Sequence, residues 1–159
     1  MKFTIIKLLL NRTTIGITAL ALGSCQTGKE PQAKLEAENL KKAVHCIDLL
    51  ENKQDLVASR LECFDENYIQ HTPRIADGRD AVLDYFANRF ETYPDYAMEI
   101  KRTSADEDLV WIHLHAKRTP DNLGAAVINI FRMKDGKFVE HWNVGQAVPK
   151  ESKNNNTMF

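Results

Sequence analysis

The stretch Leu109-Val110-Trp111-Ile112-His113-Leu114-His115-Ala116-Lys117 decides the fold class. Val110, Ile112 and Leu114 alternate with Trp111, His113 and His115, the period-two pattern of a strand with one buried face. Downstream, Ala125 to Met133 and Lys137 to Val148 are also strand-like. Asp135-Gly136 between them is a hairpin turn signal. Upstream, Met98 to Ser104 supplies one more strand, so four antiparallel strands are expected.

Further upstream the period turns helical. Leu35, Leu40, Val44, Ile47 and Leu50 recur every three to five residues, one face of a helix starting at Lys34. A second, short helix is expected from Asp55 to Cys63, with Leu56, Leu61 and Cys63 buried. Tyr68 to Pro73 breaks the helical pattern, since Pro73 disfavours helix at Thr72. Asp77 reads as the N-cap of a third helix that carries Val82, Leu83, Tyr85, Phe86 and Phe90 and ends near Tyr93-Pro94. Helices first and antiparallel strands afterwards give an α+β fold, with helices on one face of a curved sheet. Such a sheet can wrap an apolar pocket against its helices.

The chain has 159 residues, 43% of them hydrophobic, enough for one domain with a buried core. Its formal charge of −1 offers no concentrated cationic face for phosphates, so nucleic acid is not an expected partner. Residues 1–24 hold Lys2, Lys7 and Arg12, no acid, and an apolar run from Thr13 to Leu22, which together read as an export signal. That run is too short to span a bilayer. Without those three cations the 21 bases fall to 18 against 22 acids, a charge of −4. Residues 25–33 read as a polar tether, 34–148 as the domain and 149–159 as a polar tail. Cys46 and Cys63 are expected as two small buried side chains on helices, with a bridge between the helices as the alternative. No Cys-x-x-Cys occurs, which argues against thiol redox chemistry and a thiolate zinc site.

Four of the five histidines fall in suggestive places. His71 precedes Pro73 on a loop; His113 and His115 share a strand face with Trp111; His141 shares a face with Asn143, opposite Phe138, Glu140 and Trp142. If the strands are neighbours, these imidazoles and one amide converge in a single cavity. Imidazole titrates near neutral pH and suits proton transfer or substrate orientation. His-x-His is a weak metal signal without a placed acidic ligand, so no metal is expected. Gly-x-Ser-x-Gly, phosphate-loop and dinucleotide motifs are absent from the sequence, and no cofactor is expected.

Two resemblances add to this reading. Leu22-Gly23-Ser24-Cys25 resembles the lipobox of bacterial lipoproteins, which implies cleavage before Cys25 and lipid on its sulfur. Gln26 then implies a lipid-anchored protein of the cell envelope, sorted to the outer membrane. Tyr68-Ile69-Gln70-His71-Thr72-Pro73, Asp77-Gly78-Arg79, Ile130-Phe131-Arg132, Asp135-Gly136-Lys137, Val139-Glu140-His141-Trp142-Asn143-Val144 and the ending Asn155 to Phe159 resemble SnoaL-like proteins. The likeness spans roughly residues 36 to 159. It implies the cone-shaped fold of the nuclear-transport-factor-2-like superfamily, which often dimerises. It also implies polyketide-cyclase chemistry, an intramolecular aldol condensation without metal or cofactor. Related members commonly carry Asp where this chain has Asn143, and often where it has Asn129. An amide does not take up a proton as a carboxylate does, so an imidazole would have to substitute.

Two functions remain open on this basis. One is a cofactor-independent cyclase or isomerase on a small carbonyl compound, with His71, His141 and Asn143 catalytic. His113, His115, Trp111, Asn129 and Tyr68 would then bind substrate. The other is a lipid-anchored module that binds an apolar small molecule without catalysis.

Overall fold

The computed structural model describes residues 29–159; the signal over 1–24 and the lipidation residue Cys25 lie outside them. Helix α1 (Lys29–Ile47) begins before the expected Lys34 and runs into a π-helical turn (Asp48–Asn52), followed by α2 (Leu56–Glu62). Strand β1 (Phe64–Gln70), helix α3 (Arg79–Thr92) and strands β2 (Ala97–Asp106), β3 (Leu109–Lys117), β4 (Ala125–Lys134) and β5 (Lys137–Ala147) complete the order. No helix among the described residues is long and apolar enough to cross a membrane.

The strands form one curved, open sheet in the order β1-β5-β4-β3-β2. Four strands, β2 to β5, lie on the expected segments. The fifth, β1, falls on a segment whose reading stopped at the broken helical pattern. It pairs with β5 in parallel, at an edge, so the sheet is mixed and not wholly antiparallel. Val110, Ile112 and Leu114 are fully buried against the helices, and their strand neighbours Trp111, His113 and His115 therefore occupy the outer face.

An irregularity in β5 corrects the expected face assignment. Met133 pairs with Phe138, but Arg132 pairs with Glu140, so Val139 is an extra residue. This bulge resets the alternation. Phe138 is buried beside Phe131, with ring centroids 4.0 Å apart, while Glu140 and Trp142 point outward and His141 points in.

The helices also differ from their expected details. Leu35 and Leu61 are exposed, whereas Asn39, Ala43, Cys46 and Ile47 form the buried stripe of α1. Gly78, at φ 100°, is the N-cap of α3. Asp77 sits one position earlier, its Oδ1 accepting from the backbone N–H of Gln70 (2.7 Å) and of Gly78 (3.0 Å). Cys46 and Cys63 are bridged, with Cα atoms 5.6 Å apart, where unlinked thiols were the expectation. The bridge ties the end of α1 to the start of β1.

Candidate functional site

A cavity of about 340 Å³ lies between the inner sheet face, α3 and the end of α1. Ile47, Leu50, Phe64, Val82, Phe86 and Met98 give it apolar walls. Its mouth opens where β3 and β5 end and where β2 and β4 begin, because Ala97 pairs with Lys117 and Ala125 with Ala147. Gly124 borders that mouth at φ 79°; a Cβ there would fall 2.3 Å from the Ala116 carbonyl oxygen. Only glycine permits this approach of two chain segments.

The inner wall carries a carboxyl group that sequence reasoning missed. Glu51, 2% exposed, lines the cavity from the π-helical turn. The Tyr96 hydroxyl donates to its Oε2 at 2.9 Å, and Arg89 Nη1 donates to the Tyr96 oxygen at 3.0 Å. Arg89 also donates to the Tyr85 hydroxyl and lies over the rings of Tyr85, Phe86 and Tyr96. Burial pushes the Glu51 carboxyl up to about 7, with the Tyr96 hydrogen bond and the Arg89 charge opposing only part of the rise. Burial also raises the Tyr96 phenol, so it stays protonated and donates. A carboxyl group poised near neutral pH in a cavity wall can both take and return a proton.

His141, Asn129, Asn143 and Tyr68, all expected in the site, line this cavity. His141 Nδ1 lies 2.9 Å from Gln70 Oε1, and its Nε2 lies 3.2 Å from Asn129 Oδ1, an atom that exchanges places with Nδ2 when the amide is turned about. Burial, with a smaller contribution from the His71 charge, holds the imidazole down at about 3, so the ring is neutral. Gln70 Oε1 already accepts the Thr72 backbone N–H at 3.0 Å, which fixes that atom as an acceptor. His141 therefore carries its proton on Nδ1 and donates it to Gln70. Its Nε2 then needs a donor, which Asn129 supplies when its amide presents N–H. The ring is locked between two amides and is too weak a base to carry protons at neutral pH. Asn143, paired with Asn129 across the strands, turns its amide to the cavity. Tyr68 is 2% exposed, and its hydroxyl accepts from Gln70 Nε2 at 3.4 Å.

The other expected site residues lie elsewhere, so the imidazoles do not converge. The His71 ring is half-exposed outside the cavity, stacked 4.8 Å from Trp142, with Nε2 donating to Glu140 at 2.9 Å. Glu140 in turn accepts from Arg132, which also pairs with Asp108. His113 and His115 stack against Phe159 of the tail on the outer face, and His115 Nε2 donates to the Leu123 carbonyl at 2.8 Å. Trp111 shares that face. The physical reason is the parity of β3: its apolar residues claim the inner side, leaving the polar rings to the outside. Among the described residues no group of three or more His, Cys, Asp or Glu side chains has the arrangement of a metal site.

No curated protein matches the chain. Among solved structures it is similar to a SnoaL-like protein of unknown function from Burkholderia thailandensis. That pair shows 20% identity and a TM-score of 0.60, over 70% of this chain and 97% of the other. It is similar to a protein from Jannaschia assigned as a SnoaL-like polyketide cyclase, at 16% identity and TM-score 0.57, over 70% and 87%. A protein from Kribbella flavida assigned as a ketosteroid isomerase gives 13% identity and TM-score 0.60, over 78% and 89%. At these identities the likeness establishes the fold alone, helices packed on one face of a curved, open sheet. The model of the SnoaL-like domain matches residues 45–141, the span that holds Glu51, Asn129 and His141. The chain belongs to the SnoaL-like family.

Proposed function

We propose that this chain is a cofactor-independent acid/base enzyme acting on a small carbonyl compound, by isomerisation or aldol-type ring closure, with Glu51 as the proton carrier. The observation that carries the reading is a carboxyl group, buried in the wall of an apolar cavity, whose pKa is pushed up to about 7. In its ionised form Glu51 takes a proton from the carbon next to the carbonyl, and the electron pair moves onto oxygen as an enolate. The Asn143 amide donates to that oxygen, and neutral His141 holds Asn129 in place. Protonated Glu51 then returns the proton at a second position, or the enolate carbon attacks a second carbonyl of the same molecule, whose π pair moves onto its oxygen and takes the proton back from Glu51. Tyr96 and Arg89 moderate the basicity of Glu51. Names borne by similar proteins, a cyclase and an isomerase, agree with this class of chemistry.

The elimination of 5-nitrobenzisoxazole tests the reading, since it needs only a base in an apolar pocket: the base takes the C3 proton as the N–O bond breaks. The expected rate rises with an inflection near pH 7 and is lost in Glu51→Gln. A rate unchanged by Glu51→Gln would overturn it.

A second reading, a non-catalytic pocket that holds an apolar molecule, is favoured by Asn143 and by the neutral, caged His141. Under either reading we place the protein in the cell envelope, held by lipid on Cys25. The Leu22-Gly23-Ser24-Cys25 motif and the Cys46–Cys63 bridge, which persists in oxidising compartments, support that placement. A homodimer through the outer sheet face is also proposed, on the half-exposed Trp111, Ile130 and Trp142 there.

A further inference from the structure

The cavity is charged asymmetrically along its depth. Among the described residues its one carboxyl group, Glu51, is at the inner wall, where the Arg89 guanidinium balances its charge and donates to the Tyr85 and Tyr96 hydroxyls; Arg74 and Arg118 also line the cavity and are exposed, which places them at the rim. Arg118 follows the end of β3, which the strand pairing brings to the mouth, and Arg74 reaches the cavity from the loop after β1, whose last residue Gln70 pairs with His141. The arginines in ion pairs among the described residues are Arg60, Arg79 and Arg132, none of which lines the cavity. Arg118 lies instead over the Tyr93 ring, 5.3 Å from its centroid, which orients the guanidinium without neutralising it. Two uncompensated guanidinium groups at an apolar hollow fit a ligand with a charged end and an apolar body, because their forked donors match a carboxylate.

We propose that the ligand is a small apolar molecule bearing a carboxylate, which Arg74 and Arg118 hold at the mouth while its body extends inward to Glu51. The site deepens the acid/base reading by naming the substrate class and rests on it for the inner end. Such anchoring fixes one end of the substrate and presents a chosen carbon to the carboxyl group.

Calorimetric titration with 2-naphthoate and with the neutral 2-acetylnaphthalene tests it. The wild-type protein is expected to bind 2-naphthoate about tenfold or more tightly than the ketone, the effect of a charge-assisted hydrogen bond. That preference should shrink at high salt and vanish in Arg74→Gln/Arg118→Gln, with ketone binding unchanged. Both substitutions are at exposed positions, and the retained ketone affinity reports an intact cavity. Equal affinity for the two compounds, or a preference that persists in the double variant, would overturn the proposal. Failure of the catalytic reading is separable: selective binding of 2-naphthoate by a protein that leaves 5-nitrobenzisoxazole unchanged retains the anion site and removes the enzyme.

Discussion

Replacing Glu51 with glutamine should make the protein more stable at alkaline pH and change it far less in acid. A glutamate in an unfolded chain ionises near 4.5; in the fold burial carries it to about 7. Between those values the folded state binds more protons than the unfolded state. Stability from this group is therefore present below 4.5 and is lost as pH rises through 7. The rise amounts to about 3 kcal/mol at full ionisation. Glutamine keeps an oxygen for the Tyr96 hydroxyl but never ionises. Urea unfolding of both proteins at about pH 5 and about pH 8 isolates the group, because contributions from His141 cancel in the comparison. The gain of Glu51→Gln over wild type should be larger at pH 8 by about 2 to 3 kcal/mol. A gain that is the same at both pH values would refute the reasoning.

Other outcomes follow from the same structure. Cys46→Ala with Cys63→Ala opens a link with a sequence separation of 17 and should lower the unfolding free energy by about 3 kcal/mol, read by denaturant unfolding. Tyr96→Phe removes the hydrogen bond that favours ionised Glu51 and should shift the inflection of the 5-nitrobenzisoxazole pH–rate profile upward. His71→Ala and His113→Ala, both outside the cavity, should leave that elimination rate unchanged in a steady-state assay.

Strand β3 was legible because it alternates polar and apolar residues, and β4 and β5 because Asp135-Gly136 marks the hairpin between two apolar-rich runs. Strand β1 was not, since Phe64-Asp65-Glu66-Asn67 starts with one apolar residue followed by three polar ones, and only tertiary pairing with β5 extends it. The parity of β3 was also legible, but not which side holds the cavity. The apolar side does, because the helices that wall the cavity must cover that side. Position 139 shows how one bulged residue shifts every face assignment before it in the strand. Glu51 escaped notice because the π-helical turn buries Leu49, Leu50 and Glu51 in succession. A period of 3.6 would turn one of three consecutive residues outward. The cage around His141 depends on Gln70 and Asn129, residues 71 and 12 positions away, which meet only in the folded sheet.

Carbon-detected nuclear magnetic resonance of the Glu51 side-chain carboxyl in 13C-labelled protein tests the central claim most directly. Followed against pH, the resonance should titrate with a midpoint near 7. A midpoint at or below 4.5, the ordinary glutamate value, would contradict the account.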